Sequence, residues 1–110
     1  MNIKKYIRDA LLPIGVPVYT LSANNAVDQY IILTEYNQAP SINADDDELS
    51  TKYFYQVDVY TKGDFTVIVK EVEDRLKQAG LKRMFSSETY DSDAQKFRKI
   101  LRFSYATDFE

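Results

Sequence analysis

A strand, a tight turn and a helix follow one another in the middle of the chain, and this unit constrains the fold more than any other segment. Residues 52–60 form a run rich in aromatic and β-branched side chains, a composition typical of a β-strand. Residues 61–64 are polar and predict a turn, and residues 65–79 carry apolar side chains at helical spacing. Asp64 suits the start of this helix, and Gly80 suits a left-handed position just beyond its end. The unit predicts a small α+β domain, and because none of its residues looks catalytic we expect the domain to act through its surfaces.

The flanking segments predict one more helix and four more strands. Residues 3–11 place apolar side chains on one helical face, and Pro13 ends this helix because the residue before a proline avoids helical geometry. Strands are predicted at residues 16–21, 30–36, 81–86 and 95–107, and loops at residues 22–28, 37–50 and 87–94. The order of elements is therefore α-β-β-β-α-β-β within a single domain, residues 1–110. We predict a mainly antiparallel sheet of four to five strands, with both helices packed on one face and Tyr and Arg side chains on the other.

The chain lacks the side chains that most often carry out catalysis and bind metals. Its 110 residues include no Cys and no His, which excludes disulfides, thiolate metal sites and imidazole chemistry. Ser and Thr hydroxyls therefore have no His to activate them, and no Gly-rich phosphate-binding motif is present. We predict that the protein is not an enzyme and uses no cofactor or metal.

Charge is unevenly distributed along the chain. Arg98 and Arg102 share one side of the last predicted strand. Four consecutive acids occupy the longest break in the hydrophobic pattern: Asp45, Asp46, Asp47 and Glu48. A calcium loop needs alternating carboxylates and a Gly, so we interpret this acidic run as a solvated loop. The two arginines are expected to pair with carboxylates, either of the same chain or of a neighbouring protein.

The overall charge and hydropathy argue against nucleic acid and membranes as partners. The net charge is −3, whereas a general affinity for nucleic acid needs clustered Lys and Arg. The apolar runs are far shorter than the ~20 residues that span a bilayer, and residues 1–6 do not have the pattern of a secretory signal. We therefore expect a cytoplasmic protein without specific nucleic-acid binding.

Aromatic residues are frequent, with nine Tyr and six Phe among the 110 residues. Tyr is enriched at protein interfaces because it joins a large apolar ring to a hydrogen-bonding hydroxyl, but β-strands also favour aromatic residues in general. For Tyr30, Tyr36 and Tyr60, which we place on half-exposed strand faces, both interpretations stand. Strand periodicity places Phe97 on the core side together with Phe103.

Two parts of the chain resemble a known family at the level of residues. They are the strand Phe54-Tyr55-Gln56-Val57-Asp58-Val59-Tyr60 with the helix at residues 65–76, and the closing segment Phe103-Ser104-Tyr105-Ala106-Thr107-Asp108-Phe109-Glu110. Both are similar to the small tail-terminator, or tail-completion, proteins of long-tailed bacteriophages and prophages, and the layout is similar over nearly the whole chain. The resemblance implies a structural protein without catalytic residues. It would assemble as a ring, usually of six copies, that caps the tail tube and joins it to the head.

The resemblance also implies partners and a location. The partners would be further copies of this chain, the tail tube protein and the head-completion protein, in the host cytoplasm during assembly and in the virion tail afterwards. A ring subunit needs two unlike, complementary surfaces. The acidic run would form one of them and Arg98 and Arg102 the other, with Tyr36 and Tyr60 supplying contact area. Two alternatives stay open, namely a small monomeric adaptor or inhibitor that acts by protein–protein binding, and a regulatory nucleic-acid-binding domain.

Overall fold

The computed structural model describes residues 2–20, 27–36 and 50–108, so the acidic run at residues 45–48 lies outside the described residues. In chain order the elements are α1 (Ile3–Leu11), a 3-10 turn (Leu12–Ile14), β1 (Val18–Tyr19), β2 (Gln29–Glu35), β3 (Ser50–Thr61), α2 (Thr66–Gln78), β4 (Lys82–Asp91) and β5 (Lys96–Asp108). The predicted class is confirmed, because two helices accompany one five-stranded, mostly antiparallel sheet.

The strands are arranged in the order β1-β2-β3-β5-β4. All neighbours run antiparallel except β1, which pairs with β2 in parallel and places Val18 opposite Ile31. The sheet is therefore mixed. The sequence does not predict this, because a strand of two residues is too short for its side-chain pattern to indicate its pairing direction. The 3-10 turn is a second difference from the predicted order. It contains Pro13 near its start, where the missing N–H of proline costs no hydrogen bond.

Both helices pack on one face of the sheet, as predicted. Val57 and Leu101 lie opposite each other on β3 and β5 and are fully buried beneath the helices. Val72 and Leu76 of α2 and Ile7 of α1 are also fully buried. The buried core comprises Ile3, Ile7, Leu11, Val18, Ile31, Leu33, Tyr55, Val57, Val59, Ile68, Val69, Val72, Leu76, Leu81, Leu101 and Phe103. The apolar stripes expected from the sequence therefore meet in a single core.

Gly80 lies just beyond the end of α2, as the sequence indicates, but the N-cap position is Phe65 rather than the predicted Asp64, which lies one residue earlier. The helix begins one residue later than predicted, and Asp64 Oδ1 accepts hydrogen bonds from the Thr66 hydroxyl at 2.6 Å and from the Thr66 N–H at 2.9 Å. These bonds lower the pKa of Asp64. At the other end Gly80 has a φ of +96°, and the N–H of Leu81 donates to the Leu76 carbonyl at 2.9 Å.

The fourth strand is longer than predicted. β4 continues to Asp91, so residues 87–91 form a strand where the sequence predicted a loop. Glu88 lies opposite Lys99 of β5, and pairing of this kind overrides the weak strand propensity of a polar segment. The turn before β5 ends at Gln95, which has a φ of 55°.

Three aromatic side chains are placed differently from the prediction. Tyr30 and Tyr60 are buried, with 2% and 8% of their surface exposed, rather than half-exposed. Phe97 is 43% exposed although its parity is that of the core. It lies near the start of α2. Its ring contacts Phe65 and Tyr90 edge-on, and the helix does not cover it completely.

Candidate interaction surface

The sheet face opposite the helices, which we name the second face, carries the arginines predicted to form an interface. Successive side chains of a strand point to opposite faces, so this face is built from the residues that alternate with the core. On β2, β3 and β5 they are Tyr30, Ile32, Thr34, Phe54, Gln56, Asp58, Tyr60, Lys96, Arg98, Ile100, Arg102 and Ser104. The fold therefore brings Arg98, Arg102 and Tyr60 onto one face, as the sequence analysis required.

A packed cluster of rings and cations occupies one end of the second face. Tyr30 and Tyr60 lie opposite each other on β2 and β3, and their rings stack with centroids 4.8 Å apart. The Lys96 Nζ lies 5.4 Å from the centroid of Tyr30, and the Arg98 Cζ lies 5.7 Å from that of Tyr60. Burial raises the pKa of both tyrosine hydroxyls above the ordinary value of tyrosine. Cross-strand stacking beneath cations explains why Tyr60 is buried, and it leaves a neighbouring molecule only a small part of its surface to contact.

A chain of polar side chains crosses the centre of the second face. Arg98 Nη2 donates to Asp58 Oδ2 at 3.1 Å, and Gln56 Nε2 donates to both carboxylate oxygens of Asp58 at 3.1 Å. Arg102 Nε donates to Gln56 Oε1 at 3.0 Å, which extends the chain from β3 back to β5. Arg98 thus pairs with a carboxylate of its own chain, one of the two outcomes expected from the sequence.

Arg102 has a different environment from Arg98. Its side chain is exposed, and its guanidinium lies 5.2 Å from the ring centroid of Tyr36 and 5.3 Å from that of Phe85. Tyr36 is half-buried and contacts Phe54 with ring centroids 5.8 Å apart. Among the described residues no carboxylate forms an ion pair with Arg102. We name Arg102, Tyr36 and Phe85 the basic-aromatic patch.

The edge of the sheet formed by β4 carries exposed apolar side chains that the sequence analysis missed. Met84 is 53% exposed, Phe85 is 46% exposed and Tyr90 is 53% exposed. The sequence predicts a loop at residues 87–94, whereas β4 extends through Asp91. The neighbouring strand formers Thr89 and Tyr90 are the signal that could have revealed it.

The grooves of the described surface offer little reactive chemistry. One groove of about 510 Å³ lies beside Asp28 and Lys62, which form an exposed ion pair at 3.4 Å. A second groove of about 350 Å³ is lined by Phe65, Phe97 and Glu88. Among the described residues no group of three or more acids is placed to hold a metal ion. No helix in this part of the chain is long and apolar enough to cross a membrane.

Comparison with known proteins gives no family assignment. No protein-family model matches the chain, and no curated protein matches it significantly. The functional interpretation therefore depends on the residues and surfaces described above.

Proposed function

We propose that this protein is a structural subunit of a phage or prophage tail. In this role it is a tail-terminator or tail-completion subunit whose ring, of about six copies as in the family it resembles, caps the tail tube and joins it to the head. The observation that supports the proposal best is the basic-aromatic patch. The guanidinium of Arg102 is held between two rings at the surface and has no carboxylate partner among the described residues. A cation positioned in this way suits acidic side chains of a neighbouring subunit.

The ring contact needs a second, acidic surface on the subunit. The run Asp45, Asp46, Asp47 and Glu48 supplies four carboxylates to meet the patch of the next copy. Contacts between unlike surfaces close into a ring when the rotation between copies is right. Exposed ion pairs contribute roughly 0–1 kcal/mol each, so they set the register while Tyr36 and Phe85 supply the apolar contact.

Arg98 has a supporting role in this proposal. Its guanidinium is engaged by Asp58 and lies over Tyr60, so it holds the second face in shape while Arg102 meets the neighbour. The remaining partners are the tail tube protein and the head-completion protein. The net charge of −3 suits a ring through which DNA passes without being gripped.

The test is to add the protein to polymerised tubes of the tail tube protein from the same genome and to image the tube ends by electron microscopy. We expect rings with the unchanged chain and none with Arg102→Glu, which sets like charges against each other. Arg8→Glu is the matched control, because Arg8 is also exposed but lies on α1. The proposal fails if the unchanged chain forms no rings, or if Arg102→Glu caps tubes as well as Arg8→Glu does.

A monomeric adaptor or inhibitor is the second candidate. It is favoured by the groove of about 350 Å³ lined by Phe65 and Phe97, which has room for an apolar side chain of a partner protein. Native mass spectrometry of the complex separates the candidates. One copy bound to one partner, with no rings at tube ends, would favour the adaptor.

A further inference from the structure

β4 forms a long, exposed edge of the sheet. It pairs with β5 on one side, and no other described strand pairs with it. Eight of its ten residues are exposed, and only Ser87 and Asp91 are half-buried. The unpaired edge of a strand presents a row of N–H and C=O groups that can bind another strand. The same strand carries Met84, Phe85 and Tyr90, three of the six large apolar side chains that are exposed among the described residues.

The register of β4 with β5 determines which face each side chain occupies. Lys82 lies opposite Ser104, and Asp91 lies opposite Lys96, so both belong to the second face. Arg83 lies opposite Phe103 on the helix-covered face. Tyr90 is on that same face, opposite Phe97. The parity changes between Arg83 and Phe85 because a β-bulge there leaves Met84 as an extra residue.

We propose that β4 pairs antiparallel with β4 of a second copy across a two-fold axis at Ser87. Side chains opposite each other in an antiparallel pair must share a face. An axis at Ser87 sets Phe85 opposite Thr89 and Ser86 opposite Glu88. The bulge then takes up Met84, so that Arg83 meets Tyr90 and Lys82 meets Asp91. Every one of these pairs shares a face, and all residues of β4 except the bulged Met84 find a partner.

The charges of β4 are complementary to themselves in this arrangement. The basic residues Lys82 and Arg83 lie at its start, and the acidic residues Glu88 and Asp91 lie toward its end. An antiparallel pair places the start of β4 in one copy opposite the end of β4 in the other copy. The Lys82–Asp91 pair therefore forms twice, and Arg83 meets the ring of Tyr90 twice. An axis at Glu88 would instead set two carboxylates against each other. An axis at Ser86 would leave Tyr90 and Asp91 without partners.

This pairing differs from the proposed ring in symmetry, although Phe85 contributes to both contacts. A two-fold contact closes after two copies, whereas ring contacts join unlike surfaces. The tests below leave Arg102 unchanged, so failure of the strand pairing says nothing about the ring. The partner strand at this edge is β4 of a second copy of this chain, because the side chains of β4 are complementary to those of the same strand in reverse direction.

Disulfide trapping tests the register directly, because the chain contains no Cys. Residues directly opposite in an antiparallel pair have Cα atoms about 4.5–5.5 Å apart, within the range of a disulfide. Ser87→Cys should therefore form a covalent dimer under mild oxidation. Thr89→Cys is the control on the same strand and face. Thr89 lies opposite Phe85 of the second copy, so the two Thr89 residues are four positions apart along the strand, about 14 Å. Mixed Phe85→Cys and Thr89→Cys variants should cross-link with each other.

The expected result is cross-linking of Ser87→Cys at least about tenfold faster than of Thr89→Cys or Ser86→Cys. Sedimentation of the unchanged chain should give twice its 12.8 kDa, and Lys82→Glu should weaken the dimer roughly tenfold at low salt. Lys77→Glu on α2 makes the same charge change on an exposed residue away from the edge and should have no effect. The proposal is overturned if the chain sediments only as a monomer, if Ser87→Cys cross-links no faster than Thr89→Cys, or if Ser86→Cys cross-links fastest.

Discussion

Arg98 on β5 and Asp58 on β3 form an ion pair at 3.1 Å across the centre of the sheet, and the Asp58 side chain keeps only 6% of its surface exposed. Burial opposes the charge of Arg98, but the Asp58 carboxylate and its hydrogen bond outweigh burial and raise the pKa of Arg98. Gln56 gives Asp58 a second donor. The pair therefore joins the two longest strands, and through Gln56 it is connected to Arg102 of the basic-aromatic patch.

Replacing Asp58 with Ala should destabilise the fold. Removing one partner of a fully buried ion pair costs about 3–5 kcal/mol because the other charge is left without compensation. The Arg98 side chain is 30% exposed, so water will satisfy part of its charge. We expect Asp58→Ala to lower the free energy of unfolding by about 2–3 kcal/mol, measured by urea denaturation.

The matched control for this prediction is Asp74→Ala. Asp74 pairs with Lys70 at 3.4 Å on the exposed side of α2, and we expect a loss below about 0.5 kcal/mol. The double variant Asp58→Leu with Arg98→Met should recover part of the lost stability, because it leaves no buried charge. A loss for Asp58→Ala as small as that of the control would show that the pair does not stabilise the sheet.

Stability should fall at high pH because of Tyr55. The side chain is 1% exposed, and burial, followed by the nearby Glu35 and Tyr53, raises the pKa of Tyr55 to about 12. The unfolded chain loses this proton near pH 10, whereas the folded chain keeps it. The contribution is complete below about pH 10 and is lost as the pH rises toward about 12.

Urea denaturation of the unchanged chain and of Tyr55→Phe between pH 8 and pH 11.5 measures this effect. The unchanged chain should lose up to roughly 2 kcal/mol more than the variant over that interval. The variant still contains Tyr30 and Tyr60, whose raised pKa values leave it some dependence on pH. Identical pH profiles for the two proteins would contradict the assignment to Tyr55.

Leu76→Ala should cost about 2–5 kcal/mol, because Leu76 is fully buried between α2 and the sheet and its removal leaves a cavity. Val67→Ala on the same helix is the control, since Val67 is 72% exposed and should change stability by less than about 0.5 kcal/mol. Chemical denaturation of both variants is the measurement. A loss under 1 kcal/mol for Leu76→Ala would mean that α2 does not pack against the sheet in solution.

The sequence by itself determined the local elements and the direction in which their side chains point. The apolar stripe of α2 predicted that Val72 and Leu76 are buried, and Gly80 predicted the left-handed end of the helix. Strand parity predicted that Arg98 and Arg102 share a face. These features follow from spacing within one element, which a single chain displays without reference to the rest of the fold.

Tertiary structure alone decided what lies across each face and edge. Parity placed Tyr60 opposite the core, but its burial depends on Tyr30 of another strand and on cations from a third. The pairing of Arg98 with Asp58, and the extension of β4 to Asp91, likewise depend on register between strands far apart in the sequence. Register is fixed by the packing of the whole sheet, because a slip of one residue would turn every core side chain of a strand toward the opposite face.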